Sequence, residues 1–271
     1  IGGTSENVTG MIADIELKDG KLIGITIKIN ITDTNVRILL YNSKSDSINH
    51  DNVVVTSDNI FYSQSKDYIE EHQPGEQITI SREDVLEGEM CVYSKDNGQI
   101  QIMSISKSQG NPCYEGNINI YSSDNGVVIV NELPIENYLK RVVPSEMPSS
   151  FGVEALKVQT VCARSYAYAH LESFAYPEYM AHMDDTVNFQ VYNNTVEKPE
   201  ANEAINATCG KMLYYADQIV TAYYYSTSCG AGTDVSIWGS NPASYPYYVS
   251  REITSTEQGI DLSDENSFRS F

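Results

Sequence analysis

The chain has 271 residues, 41% hydrophobic and 20% charged, which suits one large or two modest globular domains with a real core. Its formal net charge of -20 excludes the broad basic face that nucleic acid or an anionic membrane requires. Any ligand contact must therefore come from a local site of aromatic rings and hydrogen bonds.

Residues 8–106 read as strands. Val8–Leu17 and Lys21–Asn30 flank Asp19-Gly20, a strong hairpin signal. Val36–Tyr41, Val53–Thr56, Glu76–Ile80, Glu89–Ser94 and Gln99–Ser106 follow, with Asn97-Gly98 linking the last two. The alternation in Gln99–Ile105 predicts one wet and one buried face. Short strands at this spacing predict a small barrel or sandwich. The expectation is an all-β accessory domain over 1–111, a spacer or binding module without a catalytic constellation. Ser108–Pro112 is a turn-rich joint and marks the boundary.

Residues 112–271 are expected to form a mixed α+β domain. Tyr114–Tyr121 and Val127–Asn131 read as a hairpin around Asn125-Gly126. A first helix starts near Pro134 with the stripe Ile135, Tyr138, Leu139, Val142, and Pro144 is expected to end it. A second helix, capped by Ser149 or Ser150, runs to about Phe174 with Ala155, Val158, Cys162, Ser165 and Ala169 along one face. A third, from about Lys198 to Cys209, ends at Gly210. Strands at Lys211–Tyr215 and Ile219–Tyr225 lead into the Ser/Gly-rich loop 226–233.

The five cysteines, at 91, 113, 162, 209 and 229, show no zinc-ligand spacing. Cys162 reads as a buried thiol; Cys91 with Cys113, and Cys209 with Cys229, are open as pairs. No stretch is apolar enough to span a membrane and no signal peptide begins the chain. The ends read as cuts, and the expectation is a piece of a longer extracytoplasmic protein, membrane-anchored or secreted, shortened at its C-terminus.

The most informative stretch runs from Asn137 to Ala167. Glu146 stands between Pro144 and Pro148, and Arg164 follows 18 residues later on the second helix. This stretch resembles the signature of the stage II sporulation protein D family, also called the SpoIID/LytB family. The resemblance extends to NELPIENYL at 131–139, DTVNFQVY at 185–192, AYYYSTSCGAGT at 222–233, Trp238-Gly239 and Pro246-Tyr247, covering about residue 113 to the end.

The resemblance implies a lytic transglycosylase on peptidoglycan glycan strands, or in some members an enhancer of amidase activity. In such an enzyme the muramyl C6 hydroxyl is the nucleophile, so one carboxyl suffices as acid and then base. Glu146 is the expected catalytic residue, its pKa raised by an apolar wall of Val143, Met147 and Phe151. The alternative is a carboxylate favouring the N-terminus of the following helix. Arg164 is expected to bind substrate or brace backbone rather than hold the acid, whose pKa it would lower; an ordinary ion pair is the alternative. Asp185, Thr186, Gln190 and Tyr192 are expected to line the cleft, unless Asp185-Thr186 only forms an Asx-type turn. Ser226, Ser228 and Gly230 are expected as glycan contacts, or as a plain turn. Trp238 and Tyr247 are expected to stack on sugars, with a core position as the alternative for Trp238. Some relatives bind zinc through two cysteines in the central loop. Here Asp184 or Met183 and Phe189 stand in those places and only His182 remains, so neither metal nor cofactor is expected. Where relatives often carry a lysine two residues after Tyr247, this chain has Val249. The expected partners are glycan strands, a cell-wall amidase and a membrane protein of the engulfment machinery.

Overall fold

The computed structural model describes residues 11–18, 21–30, 34–42, 45–225 and 232–251. The chain divides into two compact units, Ile1–Tyr214 with Ile219–Ala222, and Tyr215–Gln218 with Tyr223–Phe271.

In the first unit, β1 (Met11–Lys18) and β2 (Lys21–Asn30) pair antiparallel, as the Asp19-Gly20 signal predicts. Ten strands follow. They are β3 (Asn35–Leu39), β4 (Val53–Thr56), β5 (Phe61–Gln64), β6 (Ile69–His72), β7 (Ile78–Ile80), β8 (Met90–Ser94), β9 (Ile100–Ile102), β10 (Cys113–Tyr114), β11 (Asn117–Ser123) and β12 (Gly126–Pro134). The helices are α1 (Ile135–Glu146), α2 (Val153–Ala169) and α3 (Pro199–Ala207), with the short strand β13 (Met183–Asp184) between the last two. The α+β class expected from sequence is what the fold shows.

Two sheets carry the unit. One has the order β13-β3-β12-β11-β8-β5-β6 and the other β10-β9-β4-β7. Their Val- and Ile-rich strands suit pleated, half-buried surfaces. Val36, Ile38, Val55, Val92, Ile102, Ile118, Ile120 and Ile129 join one core with Ile135, Leu139 and Val142 of α1 and Leu156 and Ala163 of α2. Full burial of each large apolar side chain contributes about 1.5–3 kcal/mol.

The joint at Ser108–Pro112 does not separate one sheet from another. β3, from before it, pairs with β12, from after it, and β8 pairs with β11. β9 pairs with β10 across the joint itself. The expected boundary at 111/112 thus falls inside one continuous sheet system. Asn97-Gly98 is likewise no hairpin: it carries the chain from β8 in the larger sheet to β9 in the smaller. A Cβ on Gly98 would meet the side-chain ends of Asn59 and Ser94, which would have to swing aside.

The helices depart from expectation at their ends. α1 runs two residues past Pro144. A proline in the last turn forfeits one hydrogen bond, and Met147 N–H still reaches Val143 O at 3.0 Å. α2 starts after Gly152, whose φ of +90° and carbonyl bond from Leu156 N–H (3.1 Å) make it the cap in place of Ser149 or Ser150. Ser149–Phe151 form a separate single turn. The buried side of α2 is Leu156, Gln159, Thr160, Ala163, Arg164 and Ala167; Val158, from the expected small-residue face, is 65% exposed. The expected strands after α3 shrink to Tyr214–Tyr215 and Gln218–Ile219.

Candidate functional site

Glu146 is the last residue of α1, half-buried, and its Oε1 accepts the Val191 N–H at 2.7 Å. Of its expected apolar wall, Val143 is buried and Met147 packs against the core, whereas Phe151 is 65% exposed. The wall therefore stands on one side only.

Val191 is held by its neighbours. Gln190 is fully buried; its Nε2 donates to Ala163 O of α2 (3.2 Å) and its Oε1 accepts from Tyr138 Oη of α1 (3.3 Å). Tyr192 is 1% exposed, donates to Asn131 Oδ1 of β12 (3.0 Å) and packs its ring against Tyr138 and Tyr114. Neither side chain reaches a sugar surface, contrary to expectation. A buried amide must find partners, and here those partners fasten the loop to both helices beside the carboxyl.

Asp185 is also interior. Its carboxylate accepts the Tyr41 N–H (2.9 Å) and pairs with Lys107 Nζ at 2.6 Å. Burial pushes its pKa up; the Lys107 ammonium works in the opposite direction and does not cancel it. The Asx-type turn belongs to Asp184, whose Oδ1 accepts the Thr186 N–H at 2.8 Å and whose Oδ2 accepts Tyr176 Oη at 2.6 Å. Of the four loop residues expected in the cleft, only Thr186 keeps surface, and its Oγ1 accepts the Asn188 N–H at 3.2 Å.

Arg164 is 0% exposed. Its guanidinium makes a fork with Glu136, Nε to Oε1 at 2.7 Å and Nη2 to Oε2 at 2.8 Å. Nη1 donates to Lys211 O (3.2 Å) and Thr208 Oγ1 (3.4 Å), and Nη2 to Ile205 O (3.4 Å). The expected substrate contact is replaced by bracing: Arg164 ties α2 to α1 and to the C-terminal end of α3. Its partner Glu136 was not singled out by sequence reasoning. The available signal was chemical, since an arginine inside a helix core requires a carboxylate, and Glu136 lies in the 131–139 motif.

His182 accepts the Arg37 N–H on Nδ1 (3.0 Å) and stacks on Phe174. Burial, then the Arg37 charge, lowers its pKa to about 4. Among the described residues no group of three or more His, Cys, Asp and Glu could hold a metal ion. Cys91, Cys113, Cys162 and Cys209 are free thiols, so Cys91 does not pair with Cys113, while the other open pairing involves Cys229 and lies outside the described residues; Cys162 is half-buried. Ser63, His72 and Glu76 stand in a line of hydrogen bonds at 2.8 and 3.1 Å, but Ser63 and His72 are 4% and 3% exposed and face the core, where they pin β5 to β6.

Trp238, in the second unit, is 60% exposed and is no core plug; Tyr247 is half-buried beside Tyr248. Ser226, Ser228 and Gly230, with Cys229, lie outside the described residues, as does the segment 266–271. Among the described residues no helix is long and apolar enough to cross a membrane.

Residues 123–215 match the family described as SpoIID, stage II sporulation protein. The chain is 38% identical over 122 residues to the amidase enhancer of Bacillus subtilis, covering 44% of this chain and 16% of that protein. It is 35% identical over 115 residues to stage II sporulation protein D of Bacillus subtilis, covering 37% of this chain and 34% of that protein. An uncharacterized protein of Brachyspira hyodysenteriae is 34% identical over 122 residues, covering 45% and 33% of the two chains. The aligned stretches span from 16% to 34% of these relatives' lengths. Glu136, Glu146, Arg164 and the loop that carries Val191 all lie inside the family's matched range. Through these residues the chain is similar, over 123–215, to the stage II sporulation protein D family.

Proposed function

We propose that the chain is a peptidoglycan lytic transglycosylase, with Glu146 as the single general acid and base. The observation that carries this reading is the carboxyl at the C-terminal end of α1, half-buried and aimed by the Val191 N–H at 2.7 Å. Both ends of that hydrogen bond sit on stapled elements, which suits a proton donor that must meet one oxygen. Glu146 would deliver its proton to the oxygen leaving in the MurNAc–GlcNAc bond. The same carboxylate would then take the proton of the muramyl C6 hydroxyl as that oxygen closes on C1. The product is a 1,6-anhydromuramyl end, and no water is consumed. Strands stripped of stem peptides are the proposed substrate, and the proposed setting is extracytoplasmic wall remodelling, in sporulation or outside it.

A second reading is a non-catalytic, glycan-binding enhancer of a wall amidase. It is favoured by the 38% identity to a protein named amidase enhancer, and it makes an amidase the expected partner, with a membrane protein of the engulfment machinery beside it.

The test compares wild type with Glu146→Gln on peptide-free glycan strands, with mass analysis of products. Anhydromuramyl ends from wild type alone support the transglycosylase. Reducing ends would make water the nucleophile and the protein a hydrolase. No cleavage by either protein, with an added amidase stimulated equally by both, would leave only the enhancer.

A further inference from the structure

The larger sheet ends at β6, which has a neighbour on one side only. Of the four edge strands of the two sheets that carry the first unit, β6 is the longest, with four residues against three in β7 and two each in β10 and β13. Its register fixes which groups face out. Ser65 N–H donates to Tyr68 O at 3.0 Å, so the ladder starts from a hydrogen-bonded pair, and the pairs Ser63 with Glu70 and Phe61 with His72 continue it. The backbone N–H and C=O groups of Ile69 and Glu71 therefore turn away from β5. Among the described residues no strand meets them. Ile69 is 60% exposed and Tyr68 51%. A row of outward donors and acceptors beside exposed apolar side chains is a template for one more strand.

Charge says which strand the edge takes. Residues 66–89 hold eight carboxylates, opposed only by Lys66 and Arg82. Arg82 is engaged elsewhere, its Nε donating to Ser123 O at 2.7 Å. Glu70 and Glu71 are exposed and, as neighbours on a strand, point to opposite faces, so an added strand meets a carboxylate on either side. A hollow of about 200 Å³ opens between the 65–68 turn and segment 83–89, with Tyr68, Glu83, Asp84, Glu87 and Glu89 among its walls. Hydrogen bonds from the Ser81 N–H and hydroxyl hold the Asp84 carboxyl below its usual range, so it stays ionised. A second copy of this chain would set like charges together across the edge. Nucleic acid and anionic membranes carry the same sign and are repelled. The occupant that fits both the bare backbone and the charge is a cationic polypeptide.

We propose that β6 is a docking edge for an extended basic segment of a partner protein. The segment would pair its backbone with Ile69 and Glu71 and set apolar side chains beside Ile69. Its lysines or arginines would lie beside Glu70, and one more would reach the acidic hollow. Neither the chemistry at Glu146 nor the enhancer reading is needed for this.

The experiment titrates the whole 271-residue protein with a peptide of about ten residues alternating lysine and valine, long enough to overlap β6. Binding heat and amide hydrogen exchange are followed together. The expected result is saturable binding that weakens as salt rises. Exchange at the Ile69 and Glu71 amides should slow about tenfold or more, while that of Glu70, already in the ladder, changes little. The same peptide with methylated backbone nitrogens keeps its charge and loses its donors, and should bind about tenfold more weakly or worse. The unmodified peptide should weaken as much on the double variant Glu70→Lys with Glu87→Lys. It should also weaken on Ile69→Pro, which removes one outward N–H and leaves the bonds to β5 whole. Thermal melts identify a variant that fails to fold, and the lysine variant carries the test if the proline one does. No binding heat, or no slowing at Ile69 and Glu71, would overturn the docking edge. Equal affinity of the methylated peptide would overturn it too, in favour of a diffuse acidic patch, as would equal affinity of a glutamate–valine peptide. Slowed exchange that grows with protein concentration and needs no peptide would replace it with self-pairing.

Discussion

Arg164 offers the sharpest test of how the first unit is held. Arg164→Met keeps much of the volume and removes the fork to Glu136 and the bonds to Lys211, Thr208 and Ile205. Removing one member of a buried pair costs about 3–5 kcal/mol, because the other charge is left without its partner. Glu136 keeps 16% of its side chain exposed and can partly rehydrate, which places the expectation at the lower end, about 3 kcal/mol. Domain stabilities are about 5–15 kcal/mol, so the loss is a large share. Urea unfolding should show a lower midpoint at unchanged slope, and Tm should fall by about 6–12 °C. Arg164→Lys keeps the charge but not the fork, and should lose less. The double variant Arg164→Met with Glu136→Met removes both charges and should recover some of the loss. A loss under about 1 kcal/mol would refute the bracing argument. Unchanged stability with a raised KM for glycan strands would return Arg164 to substrate binding.

Two further predictions follow the same logic. His182 has a folded pKa lowered to about 4, against an ordinary value of 6.5. The unfolded chain therefore binds the proton first as pH falls, and stability should decline by about 1.4 kcal/mol per pH unit below 6.5 until pH 4. His182→Gln should flatten that slope in urea unfolding at pH 7 and pH 5, and identical slopes would discard the assignment. Gln190→Ala frees the loop from α1 and α2 without touching Glu146 itself. On the proposed chemistry it should lower kcat on glycan strands about tenfold or more while Glu146 stays present, since misplacing a reacting group is costly; an unchanged kcat would mean that the staple does not aim the proposed acid.

Much of the fold was legible where local signals and packing agree. The stripe Ile135, Tyr138, Leu139 and Val142 is buried as its spacing predicts. Gly210, at φ +70°, sits just after α3. β5 and β6 were not legible, because Phe61–Gln64 and Ile69–His72 are short and polar and pair only through tertiary context. The site divides the same way. The position of Glu146 at a helix end is local and was readable. The inward turn of Asp185, Gln190 and Tyr192 depends on Lys107, Ala163 and Asn131, from 27 to 78 positions away, and no local pattern encodes such partners. A motif fixes residue types, and both a cleft wall and a buried staple can use Gln and Tyr.

The continuous sheet also bears on where the matched stretch can be cut. The matched range starts at residue 123, the last residue of β11, with β12 entire behind it. A piece trimmed to that range would strip β12 of β3 and of nearly all of β11. Two bare edges would then be offered to any neighbouring chain, the usual route to aggregation. Similarity marks the stretch that relatives share, whereas pairing marks the stretch that can stand alone, and in this protein the second reaches back at least to Asn35.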